Sequence, residues 1–327
     1  MSEGRASNPD AGQRVQVAVV GTVNLDHTVR VPRLPARGET VVGDDVATAP
    51  GGKGANQAVA AARQGARTAL VGCVGHDGAG DRVLEFLAAE PSLDLRGVAR
   101  ADGSSGAAFV VVDALGHNTI VSARGANRSL DRPHVERHGR TIAEASVLLV
   151  QLGVPVDSVH AALEIARSVG TITILDPSPP GDLPADLAVE VLRLVDVCTP
   201  NESEVERLTG VRVTEGAPVQ QAAEALVARG CASVVITLAE RGAFYAGPDG
   251  CHVVDPFPVD AVDPTGAGDA FCGALAAALA DGAAMRHALV TASAAGALAA
   301  TRAGAAPSMP SRAEVEALAS RAGRRLG

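Results

Sequence analysis

The chain has 327 residues, of which 47% are hydrophobic, 20% are charged and 2% are aromatic. This composition excludes wholesale disorder, and the length fits either two domains or one large α/β domain. The net charge of −9 and the scarcity of aromatic rings argue against a nucleic-acid partner, because an acidic surface repels phosphate and single-stranded bases stack on exposed rings.

Five cysteines are scattered along the chain without a C-x-x-C pair. This pattern predicts reduced thiols in a cytoplasmic protein rather than a disulfide framework or a zinc site. No apolar run is long enough to span a bilayer, so we expect no membrane partner. Residues 1–14 are polar and small and are predicted to be a loose tail, followed by one domain over residues 15–327.

Strand-like and helix-like segments alternate along most of the chain. The predicted strands are 15–20, 66–74, 146–152, 171–175, 194–198 and 233–238. The predicted helices are 55–64, 79–90, 155–169, 202–209, 217–228, 267–280, 285–300 and 312–324. This alternation predicts an α/β fold with a mostly parallel sheet covered by helices on both faces, that is, three layers.

Two segments, at about 27–49 and 104–124, break the alternation. They contain short β-type pieces at 39–42, 108–113 and 119–122, with Gly and Pro but no helix between them. We interpret these pieces as strands of a small second sheet that covers a site as a lid.

The strongest chemical motif is Asp263-Pro-Thr-Gly-Ala-Gly-Asp269, directly before an apolar helix. Gly266 and Gly268 let the backbone approach a ligand, and free amides at a helix start bind an anion. A carboxylate at that point repels a phosphate, unless Asp269 takes a proton from a hydroxyl that attacks the phosphorus. The alternative is that Asp269 caps the helix. A buried ion pair that ties up Asp269 would exclude the catalytic role.

A second motif is Gly51-Gly52-Lys53-Gly54-Ala55-Asn56-Gln57. It matches neither a Walker P-loop nor the Rossmann fingerprint. Exposed backbone at Gly52, a cation at Lys53 and an amide at Asn56 suit hydroxyl groups and a nearby phosphate. The alternative is a simple turn with a solvated lysine.

A third motif is Asn24-Leu25-Asp26, which follows the first predicted strand. In an extended chain, Asn24 and Asp26 point the same way, and together they can hold a vicinal diol by donating and accepting hydrogen bonds. The alternative is an Asx turn that ends the strand.

A fourth motif, Thr199-Pro200-Asn201-Glu202-Ser203-Glu204, lies between a strand end and a helix start. Glu204 can hold a hydrated Mg²⁺, and Asn201 can reach a phosphate or a water. The alternative is a helix start whose acids complement the helix dipole.

His134 and His138 have the spacing of a zinc pair in a predicted helix. The H-E-x-x-H pattern is absent and no third ligand suggests itself, so we interpret them as part of a solvated helix face.

The order and spacing of these motifs resemble the phosphofructokinase-B-type carbohydrate kinases over about residues 15–325. The stretch GGKGANQAVAA is most similar to the ribokinase branch of that family. The resemblance implies a ribokinase-like three-layer α/β sandwich with a small β-sheet lid, often shared in a homodimer. It also implies transfer of the ATP γ-phosphoryl group to the 5-hydroxyl of D-ribose.

The resemblance also assigns expected roles to residues. Those expected to hold the sugar are Asn24, Asp26, Gly52, Lys53, Asn56 and Asp269. Asp269 is also the expected base, with Gly266, Ala267 and Gly268 as the anion hole. Those expected near ATP and Mg²⁺ are Asn201, Glu204, Thr237, Gly268 and, at the adenine, Ser293. Those expected to hold a monovalent cation, usually K⁺, are Asp263, Thr265, Ala299, Arg302, Gly304 and Ser308.

Two positions depart from the family pattern. Members usually carry a sugar-contacting Glu where this chain has Gly153, and loss of a hydrogen bond from a charged group costs about 1.5–3 kcal/mol. The departure leaves another pentose, a hexose or a nucleoside open as the substrate. Ala239 stands where many members have Gly, which could crowd the nucleotide. A non-catalytic sugar- or nucleotide-binding protein is a third alternative, and Asp269 argues against it.

Overall fold

The central strand β1 (Val17–Val20) is buried throughout, and its side chains alternate between two hydrophobic clusters. Val17 and Val19 belong to one cluster, and Ala18 and Val20 to the other. A strand that is apolar on both faces requires a sheet with helices on both sides. The computed structural model describes residues 14–115, 117–179, 185–214 and 219–323.

The described strands form two sheets. After β1 they are β2 (Asn24–Arg30), β3 (Val46–Gly51), β4 (Thr68–Gly75), β5 (Leu93–Ala101), β6 (Gly106–Val112), β7 (Asn118–Ala123), β8 (Val147–Gln151), β9 (Ile172–Asp176), β10 (Val197–Cys198), β11 (Ser233–Thr237), β12 (Ala243–Gly247) and β13 (Gly250–Val254). The large sheet has the order β13-β12-β11-β10-β9-β8-β1-β4-β5 and the small sheet the order β3-β2-β6-β7. From β11 to β5 the large sheet is parallel, whereas β12 and β13 add an antiparallel hairpin at its edge.

The described helices cover both faces of the large sheet. They are α1 (Lys53–Arg63), α2 (Gly78–Ala88), α3 (Arg132–Arg137), α4 (Gly139–Glu144), α5 (Val156–Val169), α6 (Ala185–Leu192), α7 (Glu202–Thr209), α8 (Val219–Val227), α9 (Ala267–Ala280), α10 (Met285–Ala300) and α11 (Arg312–Arg321). Helices α1, α2, α9, α10 and α11 share one hydrophobic cluster, and α3 to α8 share the other. The predicted three-layer α/β sandwich is confirmed.

Helices α1 and α9 pack unusually closely. A Cβ at Gly273 would lie 2.5 Å from the Cβ of Ala60 and 2.6 Å from the carbonyl oxygen of Gln57. Only glycine fits at that contact, because such distances are below any real Cβ separation. The close packing brings the first turn of α9 beside the first turn of α1.

The predicted second sheet is present, but one of its predicted strands is wrong. Residues 39–42 form no strand, because Glu39 closes a turn onto the Ala36 backbone and pairs with Arg33. The strand in this region is β3, antiparallel to β2, which begins at Asn24. Strands β6 and β7 lie at the predicted positions.

Several elements were not predicted. Strand β5 mixes charged and apolar residues at a sheet edge, the hairpin β12–β13 is short, and α6 lacks a clear capping signal in the sequence. The interpretation of the histidine pair as a solvated face is wrong for His134, which is buried with its Nε2 3.0 Å from the Gly97 carbonyl oxygen. Helix α3 ends before His138.

Predictions for residues 1–13, for the first two residues of the 217–228 helix and for the end of the last helix at 324 lie outside the described residues. Among the helices described, none is both long and apolar enough to cross a membrane.

Candidate active site

The first turn of α9 is built for close approach by a ligand. Gly266 precedes the helix with φ of +80°, and a Cβ there would lie 2.9 Å from the Met309 methyl group. A Cβ at Gly268 would meet nothing within 4 Å, so that position faces open space. Gly266 supplies no side-chain cap. The Ala267 amide donates to the Pro264 carbonyl oxygen (3.1 Å), so of the predicted anion hole the amides of Gly266 and Gly268 are left for an anion.

Asp269 lies inside this first turn and is not the helix cap, since the N-cap is Gly266. It is 5% exposed. Its Oδ2 accepts a hydrogen bond from Asn56 Nδ2 (2.8 Å), and its Oδ1 accepts one from Gln57 Nε2 (2.9 Å). The two amides of α1 thus fix the plane of the carboxylate, as a proton acceptor needs.

Lys53 is not the solvated lysine of the alternative interpretation. Its Nζ lies 3.1 Å from Asp176 Oδ2 and 3.6 Å from Asp269 Oδ1, while a third of its side chain stays exposed. Burial alone would lower the pKa of Lys53, but the carboxylates of Asp176 and then Asp269 outweigh it and raise the pKa. Asp269 is therefore the more distant of two carboxylates that share this ammonium group, and Asp176 is the nearer.

Asn24 and Asp26 lie on β2, an extended strand rather than an Asx turn. Gly51 pairs with Asn24 across β2 and β3, and a Cβ on it would lie 2.0 Å from Asp26 Oδ2, so the position of this carboxylate requires a glycine at 51. Asn24 Oδ1 accepts a hydrogen bond of 2.9 Å from Asn127 Nδ2. Burial, and secondarily the negative charge of Asp269, raises the pKa of Asp26 to about 6.

Two buried acceptor oxygens in this group, Asp26 Oδ1 and Asn56 Oδ1, have no hydrogen-bond partner. A buried acceptor without a donor costs about 1–3 kcal/mol. A ligand that carries several hydroxyl groups supplies the missing donors. The arrangement therefore favours a polyol bound between β2, α1 and the start of α9.

The predicted nucleotide residues lie at the carboxyl ends of neighbouring strands. Asn201 and Glu204 form a capping box at the start of α7, with Asn201 Oδ1 accepting from the Glu204 amide and Glu204 Oε2 accepting from the Asn201 amide, both at 2.9 Å. Asn201 also bridges to Thr237 at the end of β11. Asn201 and Glu204 thus have the helix-start role of the alternative interpretation. Their role toward a nucleotide stays a prediction.

Ser293 lies on α10, one turn before Gly296, which packs against the Ala267 carbonyl. Its Oγ is buried and has no hydrogen-bond partner. This position is on α10, which packs against α9.

Most of the predicted cation residues lie in two loops, one before α9 and one after α10, whereas Ala299 lies within α10 near its end. Asp263 joins the loops, because its Oδ1 accepts from the Thr265 amide and its Oδ2 from the Gly304 amide, each at 3.0 Å. The other members are Ala299, Arg302 and Ser308, of which Ser308 Oγ donates to the Ala305 carbonyl. Carboxylate, hydroxyl and carbonyl oxygens are hard ligands, so this set fits an alkali-metal ion.

The described residues contain no group of three or more His, Cys, Asp or Glu that could hold a metal ion. Glu204 is buried and offers a single carboxylate. Mg²⁺ is commonly held by one or two carboxylates together with substrate phosphates, so Glu204 fits such an ion only when a nucleotide is bound.

The space beside Gly153, where a glutamate was expected from the family pattern, is occupied by the side chain of Thr22. A Cβ at Gly153 would lie 2.6 Å from the Thr22 Cγ2 methyl. The rotamer of Thr22 thus leaves no room for a side chain at Gly153. Ala239, the second departure from the family pattern, has a φ of +50°, a conformation that glycine adopts without steric cost.

Three site residues were missed from the sequence: Gln57, Gln151 and Asp176. Gln57 Nε2 donates to Asp176 Oδ2 (2.7 Å) as well as to Asp269, and Gln57 Oε1 accepts from Gln151 Nε2 (2.5 Å). A signal existed for each: Gln57 is polar within an apolar helix, and Gln151 and Asp176 end apolar strands.

Residues 15–312 match the family described as pfkB family carbohydrate kinase. The chain belongs to this family. It is therefore a carbohydrate kinase, as its sequence motifs predicted. The ribokinase of Haemophilus influenzae is 37% identical over 302 residues, covering 92% of this chain and 97% of that protein.

Solved structures of pfkB-type kinases agree with the fold. The ribokinase of Thermotoga maritima superposes with a TM-score of 0.83 at 34% identity, and covers 94% of this chain and 99% of its own. The Arabidopsis thaliana ribokinase, solved in complex with ribose and ATP, superposes with a TM-score of 0.84 at 30% identity over the same shares.

Proposed function

We propose that this kinase transfers the γ-phosphoryl group of ATP to the 5-hydroxyl of D-ribose, giving D-ribose 5-phosphate and ADP. The main observation behind the proposal is that Asp269 lies at a helix start without a side-chain cap, in the same site as two acceptor oxygens that have no partner, Asp26 Oδ1 and Asn56 Oδ1. The ribokinases of Haemophilus influenzae and Arabidopsis thaliana, which align over most of their length, support ribose as the sugar.

The sugar is held between β2 on one side and the first turns of α1 and α9 on the other. Asp26 and Asn56 accept hydrogen bonds from its hydroxyls, and their unpartnered oxygens make this contact favourable. Asn24 extends the contact along β2. Lys53 contributes a positive charge beside the hydroxyl that is to be phosphorylated.

Phosphoryl transfer then needs positioning and charge stabilisation more than covalent help from the protein. Asp269 takes the proton of the attacking hydroxyl as the oxygen–phosphorus bond forms. The amides at Gly266 and Gly268 stabilise the negative charge on the phosphoryl oxygens, whereas the Ala267 amide already donates to the Pro264 carbonyl oxygen. The small sheet excludes water, which would otherwise compete with the sugar hydroxyl.

Two cations belong to the proposal. Glu204 and Asn201 would hold hydrated Mg²⁺ near the nucleotide phosphates, where it would neutralise part of their charge. The loops joined by Asp263 would hold K⁺ behind Gly266. This ion would fix the shape of the helix start without touching substrate, and its test is a thermal-stability increase in KCl that tetramethylammonium does not reproduce.

The single most informative test is a substrate panel. Purified enzyme with MgATP, with and without KCl, is given D-ribose, 2-deoxy-D-ribose, D-xylose, D-fructose and adenosine, and ADP release is measured. We expect ribose to give the highest kcat/KM and the product to carry phosphorus on O5 by NMR. Asp269→Asn is the matched control. No substrate-dependent ADP release would refute the proposed function.

A kinase for another pentose, a hexose or a nucleoside is the second candidate. The observation that favours it is Gly153, where the Thr22 methyl occupies the space of a sugar-contacting side chain. A higher kcat/KM for another member of the panel than for ribose would select this candidate.

We also propose that the chain forms a homodimer through the small sheet and works in the cytoplasm. Support for the dimer is the outer part of this sheet, where Phe109, Ile120 and Val121 are about half exposed or more. Support for the compartment is that all five cysteines are free. Sedimentation gives the molecular mass in solution of Val121→Glu and of the unmodified chain. Equal masses of the two proteins would argue against a dimer through the small sheet.

A further inference from the structure

Two carboxylates compete for one ammonium group in the candidate site. Lys53 Nζ is 3.1 Å from Asp176 Oδ2 and 3.6 Å from Asp269 Oδ1. Asp176 comes from the end of β9 and is 4% exposed. In the proposed mechanism Asp176 touches neither sugar nor phosphate.

We propose that Asp176 is a positioning residue that holds the Lys53 ammonium away from Asp269, so that the base stays free to accept the sugar proton. This inference rests on the proposed function of Asp269. Lys53 already lies within ion-pair distance of Asp269. Without a competing partner, Lys53 would close to hydrogen-bond distance and hold this carboxylate more tightly, which opposes proton transfer to it. A lysine side chain is flexible enough for this shift of less than 1 Å.

The amide of Gln57 supports the same separation. Its Nε2 has two hydrogens and gives one to each carboxylate, at 2.7 Å to Asp176 and 2.9 Å to Asp269. Gln57 is fully buried, and Gln151 Nε2 donates to its Oε1, so the amide cannot turn. The bridge keeps the two acids at a fixed spacing with Lys53 between them.

The other charged groups around this cluster do not replace Asp176. Asp26 and Glu204 add negative charge near it, and Cys272 of α9 is buried with its Sγ 3.3 Å from Thr199 Oγ1. Burial is the first cause that raises the pKa of Asp176, and Lys53 opposes it. Lys53 is the cation of this cluster within the described chain.

The decisive variant is Asp176→Asn. Asparagine has the same shape and its Oδ1 still accepts from Gln57, so the variant removes the charge toward Lys53 and little else. We expect kcat to fall about tenfold, part of the roughly 10²–10⁴-fold effect of a general base. KM for the sugar should change by less than about threefold, since the sugar contacts remain. Asp281→Asn, at the far end of α9, is the matched control and should leave both unchanged.

A double-mutant cycle with Lys53→Met separates positioning from a general structural role. When no lysine can close onto Asp269, the proposal expects Asp176→Asn to lower kcat little further. A full tenfold loss in the Lys53→Met background would overturn it. So would recovery of the Asp176→Asn kcat at high Mg²⁺, which would make Asp176 part of the metal site.

A crystal structure of Asp176→Asn gives a readout that does not depend on activity. The expected Lys53 Nζ–Asp269 Oδ1 distance is shorter than the present 3.6 Å, and an unchanged distance would refute the proposal. The two proposals fail differently. If the unmodified chain shows no sugar-dependent turnover, the proposed function is wrong. If it turns over and Asp176→Asn keeps full kcat, only the role of Asp176 is wrong.

Discussion

The ionisation of Asp26 should make both stability and sugar binding depend on pH. Burial, with a further contribution from Asp269, raises its pKa from 3.8 to about 6 in the folded protein. Between these values the folded state holds a proton that the unfolded state has lost. The contribution of this group to stability is therefore fully present below pH 4 and is lost as the pH rises to about 6.

The size of the effect follows from the two pKa values. Each pKa unit corresponds to about 1.4 kcal/mol. Charged Asp26 therefore costs the folded enzyme about 2–3 kcal/mol above pH 6, after allowance for the partial exposure of the side chain. Asp26→Asn removes the charge and keeps the shape. The variant should unfold at a higher temperature than the unmodified chain at pH 7.5 and at the same temperature at pH 4.

Asp77→Asn is the matched control of opposite sign. Burial works against the Asp77 carboxylate, but bonds from the Ser105 hydroxyl and the Ser105 and Gly80 amides lower its pKa. That stabilisation is present at pH values above the pKa of Asp77 in the unfolded chain and is lost only as the pH falls below that pKa. Asp77→Asn should therefore destabilise the folded protein equally at pH 5 and pH 7.5.

Scanning calorimetry from pH 4 to 8 in the absence of sugar measures the stability difference. Sugar KM over the same range gives a second readout, because ionised Asp26 is the better acceptor for hydroxyls and KM should fall as the pH rises through 6. An Asp26→Asn protein whose stability relative to the unmodified chain does not change between pH 4 and 7.5 would refute the reasoning.

Three further outcomes are expected. Asp269→Asn should lower kcat by roughly 10²–10⁴-fold with sugar affinity little changed, and a smaller loss in single-turnover assays would remove the residue from proton transfer. Gly153→Glu should weaken sugar binding, because its Cβ would meet the Thr22 methyl at 2.6 Å. Adding Thr22→Ser removes that methyl and should restore binding, as measured by calorimetry. Equal sugar affinities of the single and double variants would exclude the clash. Ala239→Gly should raise the unfolding free energy by about 1 kcal/mol, since φ of +50° strains alanine; denaturant titration checks this, and no gain would mean that the turn is unstrained.

Much of the fold could be predicted because apolar periodicity determines it. Helices α9 and α10 begin and end where the sequence predicted, since Gly266 and Ala284 precede continuous runs of strong helix formers. The strand at 39–42 failed for the opposite reason. Its β-prone residues were visible, but the ion pair and turn around Glu39, which decide the local structure, were not.

The site was predictable where one motif carries the chemistry. Asp269, Asn56 and Lys53 were found because glycines beside them marked ligand approach. Asp176 and Gln57 were not, because their importance comes from a contact between β9 and α1 that is 119 residues apart in sequence. Likewise, the contact between Thr22 and Gly153 could not be predicted, because it depends on the ends of β1 and β8 lying side by side in the sheet.

Strand β2, which carries the proposed sugar residues Asn24 and Asp26, belongs to the small sheet, whereas Asp269 belongs to α9 of the main body. Half of the proposed sugar pocket therefore belongs to the small sheet. Asp26 and Asp269 lie close enough for the charge of one to raise the pKa of the other. A displacement of the small sheet relative to α9 would separate the proposed sugar contacts from the proposed base, so phosphoryl transfer in the proposed mechanism requires both parts in place.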